Sequence, residues 1–432
     1  MSILIKRGMV VDPASHREDV LDILIEDKII KKIGKDIKSY GAEVIDAREK
    51  IVIPGLVDLH THLREPGRED EETIRTGTLA AAKGGFTTIC CMPNTNPPID
   101  NPTVVKYIYR EAEKNGVVEV LPVGTISYRR EGKKLSEMGR LKESGVVGFS
   151  DDGSWVVDSN LMRRALEYAK MFNLPIISHC EDPYLSKDGV MNEGYWSTVL
   201  GLPGIPAEAE EIAIFRDLSL ARLTGSKLHI AHLSTRGGVE LIRKAKQENI
   251  KVSCEVTPHH LALCDEAVKN FDTNTKVNPP LRTGKDIEAL KDGLREGVID
   301  IIATDHAPHT QEEKELEYSR SPFGIIGLET ALSLVIKELV EPGILSFMEA
   351  IAKLTINPSR IIGIDRGKIR EGSMANLAVV DLSRSWQVKE EEFFSLSKNS
   401  AFIGWTLPGK VEFTICKGKI VYSEDLEFLH EF

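Results

Sequence analysis

His60 and His62 are one residue apart and follow directly on the apolar run Ile51–Val57. If that run is a strand, the side-chain period of two sends both imidazoles to one face. Two imidazoles aimed at one point are a metal-binding geometry; on a loop they would be ordinary histidines. Other apolar runs end in the same kinds of residue. Asp151-Asp152 follows Val146–Phe149, His179 follows Pro175–Ser178, His232 follows Leu228–Ala231, and Asp305-His306, then His309, follow Ile299–Ala303. Four imidazoles and two carboxylates fit a two-metal site, with His60, His62 and Asp305 on one ion and His179 and His232 on the other. One carboxylate of Asp151-Asp152 would bridge them, since its two oxygens can bind separate ions. Nitrogen and oxygen ligands without thiolate favour zinc, with manganese or cobalt tolerable. Two such ions, roughly 3.5–4 Å apart, hold a hydroxide whose pKa falls toward about 7.

Several neighbours have structural readings. His229 precedes His232 by three and would point the other way on a strand. His259 and His260 follow Pro258 at the end of Val252–Val256, where lining the site and plain packing are both open. Asp151, adjacent to Asp152, is expected to face a turn. His16 and His430 lie in the end segments and read as surface residues.

The elements that must position these groups are eight strand-length apolar runs: Ile51–Val57, Thr87–Met92, Val118–Val123, Val146–Phe149, Pro175–Ser178, Leu228–Ala231, Val252–Val256 and Ile299–Ala303. Between them lie segments of helical period: Glu72–Lys83, Pro102–Lys114, Ser159–Phe172, Ala207–Leu223, Gly238–Gln247 and Lys285–Glu296, with Leu328–Leu339 and Phe347–Leu354 beyond. Continuous apolar strands mean burial on both faces. Eight strand-then-helix units predict an α/β protein built on a parallel (β/α)8 barrel over residues 51–365, its site at the C-terminal strand ends. Residues 1–50 and 366–432 are rich in short strands and turns, and are expected to form one composite β-sandwich. The charged stretch Gln311–Pro322 reads as a solvated loop or as a mobile lid over the site.

Composition sets outer limits. With 55 basic against 66 acidic residues among 432, the net charge of −11 argues against a nucleic-acid or anionic-membrane surface. The first residues lack a signal-peptide core and no run approaches a membrane span, so a cytoplasmic location is expected. The six cysteines are scattered without C-x-x-C spacing, and buried free thiols are the expectation.

Asp58-Leu59-His60-Thr61-His62-Leu63-Arg64-Glu65-Pro66-Gly67, Met92-Pro93-Asn94-Thr95-Asn96-Pro97, Phe149-Ser150-Asp151-Asp152-Gly153, His179-Cys180-Glu181-Asp182, Val277-Asn278-Pro279-Pro280-Leu281-Arg282 and Ala303-Thr304-Asp305-His306-Ala307-Pro308-His309 together make the chain resemble the amidohydrolase superfamily, and within it the type I dihydroorotases. The resemblance implies reversible hydrolysis of the cyclic amide dihydroorotate to N-carbamoyl-L-aspartate, in pyrimidine biosynthesis. It implies metal ligands His60, His62, Asp152, His179, His232 and Asp305 for two divalent ions, most simply zinc. Asp305 would also be general base and acid for a metal-bridged hydroxide. Arg64, Asn94 and His309 would clamp the substrate carboxylate beside His62, Asn278 would contact the ring, and Phe323-Gly324 would offer backbone groups.

Hydantoinases, allantoinases and many dihydroorotases bridge their metals with a carbamylated lysine near the end of the fourth strand. Here Val147-Gly148-Phe149-Ser150-Asp151-Asp152 holds no lysine, which is the aspartate-bridged pattern. Arg64 adds a carboxylate binder that a neutral hydantoin does not need. The alternatives are a hydantoinase-like or allantoinase-like enzyme and a catalytically silent partner of aspartate transcarbamoylase, the second disfavoured because all six ligands are present. Association of an active chain with that transcarbamoylase, or with a second copy of itself, is left open by the sequence.

Overall fold

Apolar runs with no polar alternation form strands buried on both faces, and eight such strands run parallel here. They are β1 (Leu56–Thr61), β2 (Phe86–Cys91), β3 (Glu119–Pro122), β4 (Phe149–Ser150), β5 (Ile176–Ser178), β6 (Leu228–Ile230), β7 (Val252–Val256) and β8 (Ile301–Ile302). The computed structural model describes residues 2–424. Strands β1, β2 and β3 make one parallel arc, and β4 to β8 make another in chain order. Single parallel bridges join the arc edges at both ends, Gly124 to Phe149 and Thr61 to His306.

The intervening helices begin where the sequence supplies caps. Thr73 caps Ile74–Lys83, Asn101 caps Pro102–Asn115, Asp158 caps Ser159–Met171 and Thr235 caps Arg236–Gln247, each through a side-chain oxygen. Ala80, Ala81, Val105, Leu166, Ile214 and Ile242 from these helices and from Glu208–Thr224 pack with Phe86, Phe149, Ile176 and Ile230 of the strands in one large buried layer. A second cluster takes Val57, Leu59, Cys90, Met92, Val123, Val147, Ile177, Ala231 and Ile301, almost wholly from the strands and their immediate ends.

The two ends of the chain share an eight-stranded sheet. Its order is Lys419–Ser423, Thr406–Cys416, Leu377–Gln387, Ile51–Pro54, Ser2–Asp12, Arg17–Glu26 and Ile29–Gly34, with Glu43–Asp46 alongside the first half of Ser2–Asp12. Lys417-Gly418 makes the final hairpin turn, both residues at positive φ, as a two-residue hairpin requires.

The apolar run Ile51–Val57 is not one strand. Ile51–Pro54 belongs to the end sheet and β1 starts at Leu56, so the chain changes sheet at Gly55. A Cβ on Gly55 would stand 2.2 Å from Thr87 Oγ1, so only glycine permits this close crossing. The helical stretch expected at Leu328–Leu339 starts later, as Ala331–Val335, and runs on into a wider-pitched turn at Ile336–Val340. The stretch Gln311–Pro322 is an anchored segment with a short helix at Gln311–Lys314 and buried Lys314, Tyr318 and Ser321. All six cysteines are free thiols. Among the described residues no helix is long and apolar enough to cross a membrane.

Candidate metal centre and substrate pocket

The C-terminal ends of β1, β4, β5, β6 and β8 converge. His60 lies in β1 with His62 just beyond it; Asp152 follows β4 by two residues, His179 follows β5 directly, His232 follows β6 by two, and Asp305 follows β8 by three. His60 Nε2 is 3.2 Å from Asp152 Oδ1 and 3.5 Å from Asp305 Oδ1. His62 Nε2 is 3.0 Å from Asp305 Oδ1 and 3.5 Å from Asp152 Oδ2. On the other side His232 Nε2 is 3.7 Å from Asp152 Oδ1, and His179 Nδ1 is 2.9 Å from that same His232 nitrogen. Ligand atoms of His60, His62 and Asp305 form one compact set, and those of His60, Asp152 and His232 form another. His179 joins through His232 and stands 3.9 Å from Asp152 Oδ1.

This arrangement suits bound cations. His60 Nε2 and Asp152 Oδ1 are both buried, face each other, and make no hydrogen bond. Burial opposes the charge on Asp152 and Asp305, but the surrounding histidines, His60 foremost, hold both carboxyls well below the usual carboxylate range. They are therefore ionised, as ligands must be. Backbone strain collects here as well: Arg64, His232 and Asp305 have φ of 60°, 31° and 48°, in the left-handed region that non-glycine residues rarely adopt.

The candidate ligands are held from behind. Buried Glu255 on β7 lies 2.6 Å from His60 Nδ1 and 3.0 Å from His229 Nε2, which leaves His60 Nε2 as the free ligand atom. Its carboxyl is depressed to about 2, because the charge of His60 and hydrogen bonds from His229 and His60 outweigh the burial that would raise it. Histidine ligands are commonly oriented in this way through their second nitrogen. Asp58 accepts from the His60 and Thr304 amides and, at 2.6 Å, from Thr304 Oγ1, tying the end of β1 to that of β8. Asn94 Oδ1 is 2.8 Å from His62 Nδ1, so that oxygen orients a ligand and the amide nitrogen is what Asn94 offers a substrate.

Arg64 is largely buried at the mouth of the site, its Nε 3.0 Å from both Glu71 and the Pro308 carbonyl. Its other contact is His309 Nε2 at 3.3 Å. His309 in turn faces Glu71 through Nδ1 and the Phe323 carbonyl through Nε2, each at 2.8 Å. Glu71, His309 and Glu313 also sit close together, but Arg64 and Arg68 neutralise the carboxylates of that group. Asn278 stands 3.5 Å from His179 Nε2, and its Oδ1 is buried with no partner. Gly324 has both main-chain groups engaged inside the protein, N–H to Lys276 and carbonyl to Lys314 and Asn399. It can offer a ligand close approach and no hydrogen bond.

The neighbouring groups lie outside the cluster. Asp151 accepts from the Ile126 and Ser127 amides and shapes the loop after β3. His229 bonds Ser253 and Glu255, and His260 bonds Thr257 and the Pro279 carbonyl. His259 Nε2 is buried without a partner, and burial pushes that imidazole down to about 4, so it is neutral. His16 is exposed, and His430 lies outside the described residues. Sequence reasoning missed Glu255 and Glu71. A glutamate inside the apolar run Val252–Val256 was the available signal for the first; nothing local marks the second.

The fold and the strand-end cluster together define the class, and comparison with solved structures agrees. The chain superposes on an L-hydantoinase (dihydropyrimidinase) from Arthrobacter aurescens with a TM-score of 0.88 and 26% identity, covering 98% of this chain and 96% of that one. A D-hydantoinase from a Bacillus species matches with a TM-score of 0.85 and 25% identity over 98% and 95%. This is an amidohydrolase, a metal-dependent hydrolase. Sequence relatives narrow the class. A dihydroorotase from Acetivibrio thermocellus is 52% identical over 98% of this chain and 99% of its own length, and one from Geobacter metallireducens is 52% identical over 98% and 100%. The Dihydro-orotase-like family model matches residues 49–238. The chain belongs to the dihydroorotase family.

Proposed function

We propose that this protein is a dihydroorotase, catalysing the reversible hydrolysis of (S)-dihydroorotate to N-carbamoyl-L-aspartate. The observation that carries the reading is the meeting of Asp305 with His60 and His62 beside a buried arginine, Arg64, one strand period further on. Hydrolytic chemistry and a carboxylate binder thus share one pocket, in a chain half identical to dihydroorotases over almost its whole length.

His60, His62, Asp152, His179, His232 and Asp305 would hold two divalent ions, most simply zinc, with Asp152 between them. Such ions supply Lewis acidity toward the amide carbonyl and lower the pKa of bound water. Asp305 takes the proton of the attacking water at a carboxylate oxygen and returns it to the amide nitrogen as the C–N bond breaks, giving the open-chain carboxylate. Arg64, with His309 and the Asn94 amide, receives the ring carboxylate and fixes which carbonyl faces Asp305. Asn278 Oδ1, buried and unpartnered, is suited to accept from a ring N–H. The two strand arcs act as one (β/α)8 barrel, its first strand starting at Leu56 because Ile51–Pro54 belongs to the end sheet, a reading supported by the bridges at both arc edges and by the cluster drawn almost wholly from the strands and their ends. The end segments form a second unit.

Purified protein is loaded with zinc and offered dihydroorotate, hydantoin and allantoin. Dihydroorotate alone should disappear, its loss stopping with a chelator and returning with zinc. Turnover of hydantoin with none of dihydroorotate would overturn the assignment.

A further inference from the structure

Two lysines beside the pocket are buried, and the carboxylates of Asp272 and Glu313 act on Lys314 only from beyond ion-pair distance. Lys276 is 2% exposed and Lys314 is 7% exposed, and neither makes an ion pair among the described residues. Each ammonium points at main-chain carbonyls of one irregular segment. Lys276 Nζ donates to Tyr318 at 2.7 Å, Ser319 at 3.2 Å and Ser321 at 2.7 Å, using all three of its N–H groups. Lys314 Nζ donates to Pro322 and Gly324, each at 3.0 Å. These carbonyls have no strand or helix to satisfy them, so two ammoniums do the work of a hydrogen-bond ladder. Lys276 also sits 4.7 Å over the Phe323 ring, and its own carbonyl accepts from the Gly324 amide.

The segment so held ends at the substrate side of the site. The Phe323 carbonyl meets His309 Nε2, and His309 meets Arg64. Lys276 lies two residues before Asn278, which touches His179. One pair of buried charges therefore fixes both the carboxylate end and the ring end of the pocket. A scaffold role alone is met more cheaply by neutral donors, because an unpaired buried cation is costly to fold.

Resting on the dihydroorotase reading, we propose that Lys276 and Lys314 are positioning residues: they hold 318–324 in the conformation in which the Phe323 carbonyl sets His309 beside Arg64, ready for the substrate carboxylate. They take no part in the bond-breaking step. Charge and polar contact are lost in Lys276→Met and Lys314→Met while much of the side-chain volume is kept. In the zinc-loaded protein each should raise KM for dihydroorotate about tenfold, with kcat within about twofold of the parent and metal content unchanged. Glutamate-specific proteolysis at exposed Glu315 and Glu317 should be faster in both variants and slowed again by N-carbamoyl-L-aspartate. Unchanged KM and cleavage rate, or a fall in kcat at constant KM, would overturn the proposal. If Lys276→Met does not fold, Lys314→Met, which takes a donor from two carbonyls and leaves that of Gly324 still held by Asn399, decides alone. A parent protein inactive on dihydroorotate would sink the dihydroorotase reading, while the proteolysis comparison would still report whether the lysines hold the segment.

Discussion

His60 shows how one side chain is made into a ligand. Its Nδ1 is taken by Glu255, so Nε2 alone faces Asp152 and Asp305. Glu255→Gln retains the shape but loses the negative charge opposite two histidines, and should weaken zinc binding 10- to 100-fold, roughly the usual effect of removing such a partner; competition with a chromophoric chelator measures it, and parental affinity would show that Glu255 merely packs. Asp305→Asn removes the proton acceptor with little change in volume. It should lower kcat by about a hundredfold or more while the fold persists, and a variant retaining a tenth of parental turnover would send the proton elsewhere. Arg64→Met should chiefly raise KM, read from initial rates against dihydroorotate concentration. His60, His62 and Asp305 were legible in the sequence because they close continuous apolar runs, and a strand's period of two tells which neighbours share a face. Glu255 was hidden because its role comes from His60, 195 positions away in the chain, and no local pattern records that.

Strands were legible where burial on both faces made them uniformly apolar, and helices where a cap preceded the periodic stretch, as Asn101 precedes Pro102–Asn115. The failure at Ile51–Val57 has a physical source. Both sheets bury that run, so its composition does not change at Gly55, where the chain passes from one sheet to the other. The link between the end segment and the strand arc was equally invisible. Arg366 reaches back to Glu119 on β3 with two contacts of 2.8 Å, from Nε and from a terminal nitrogen. Burial raises the Glu119 carboxyl, but Arg366 outweighs it and the net shift is downward. A carboxyl lowered in the folded state binds fewer protons there than in the unfolded chain. Its stabilisation is therefore complete above the unfolded value, about 4.5, and is lost as pH falls through the folded value. Arg366→Met should cost roughly 2 kcal/mol at neutral pH, since it leaves a largely buried carboxylate with only Lys417 at 3.6 Å and the Thr88 hydroxyl beside it. In urea unfolding, the gap between parent and variant should shrink as pH is lowered below the ordinary carboxylate range. A gap independent of pH would mean that the arginine contributes packing and not charge.

At the scale of the whole molecule, the six candidate ligand residues run from position 60 to position 305 and come from five strand ends, so only the completed fold brings them together. Strand β7 contributes no ligand, but its Glu255 braces β1 against β6 by touching His60, His229 and the His232 amide. An unfolded chain retains no such site, so metal binding adds directly to folding free energy. With free zinc about a thousandfold above its dissociation constant, the gain is about 4 kcal/mol per site. Removing the metal should therefore lower the thermal midpoint by several degrees, and stepwise re-addition should restore it along with activity. In Asp152→Ala this metal-dependent rise should be largely lost, because the carboxylate between the two histidine pairs is gone and elemental analysis should find fewer than two equivalents bound. Identical melting of stripped and loaded parent protein, with metal bound to the loaded sample, would instead mean that the unfolded chain holds the ions as tightly as the folded one, through histidines and carboxylates that need no completed fold.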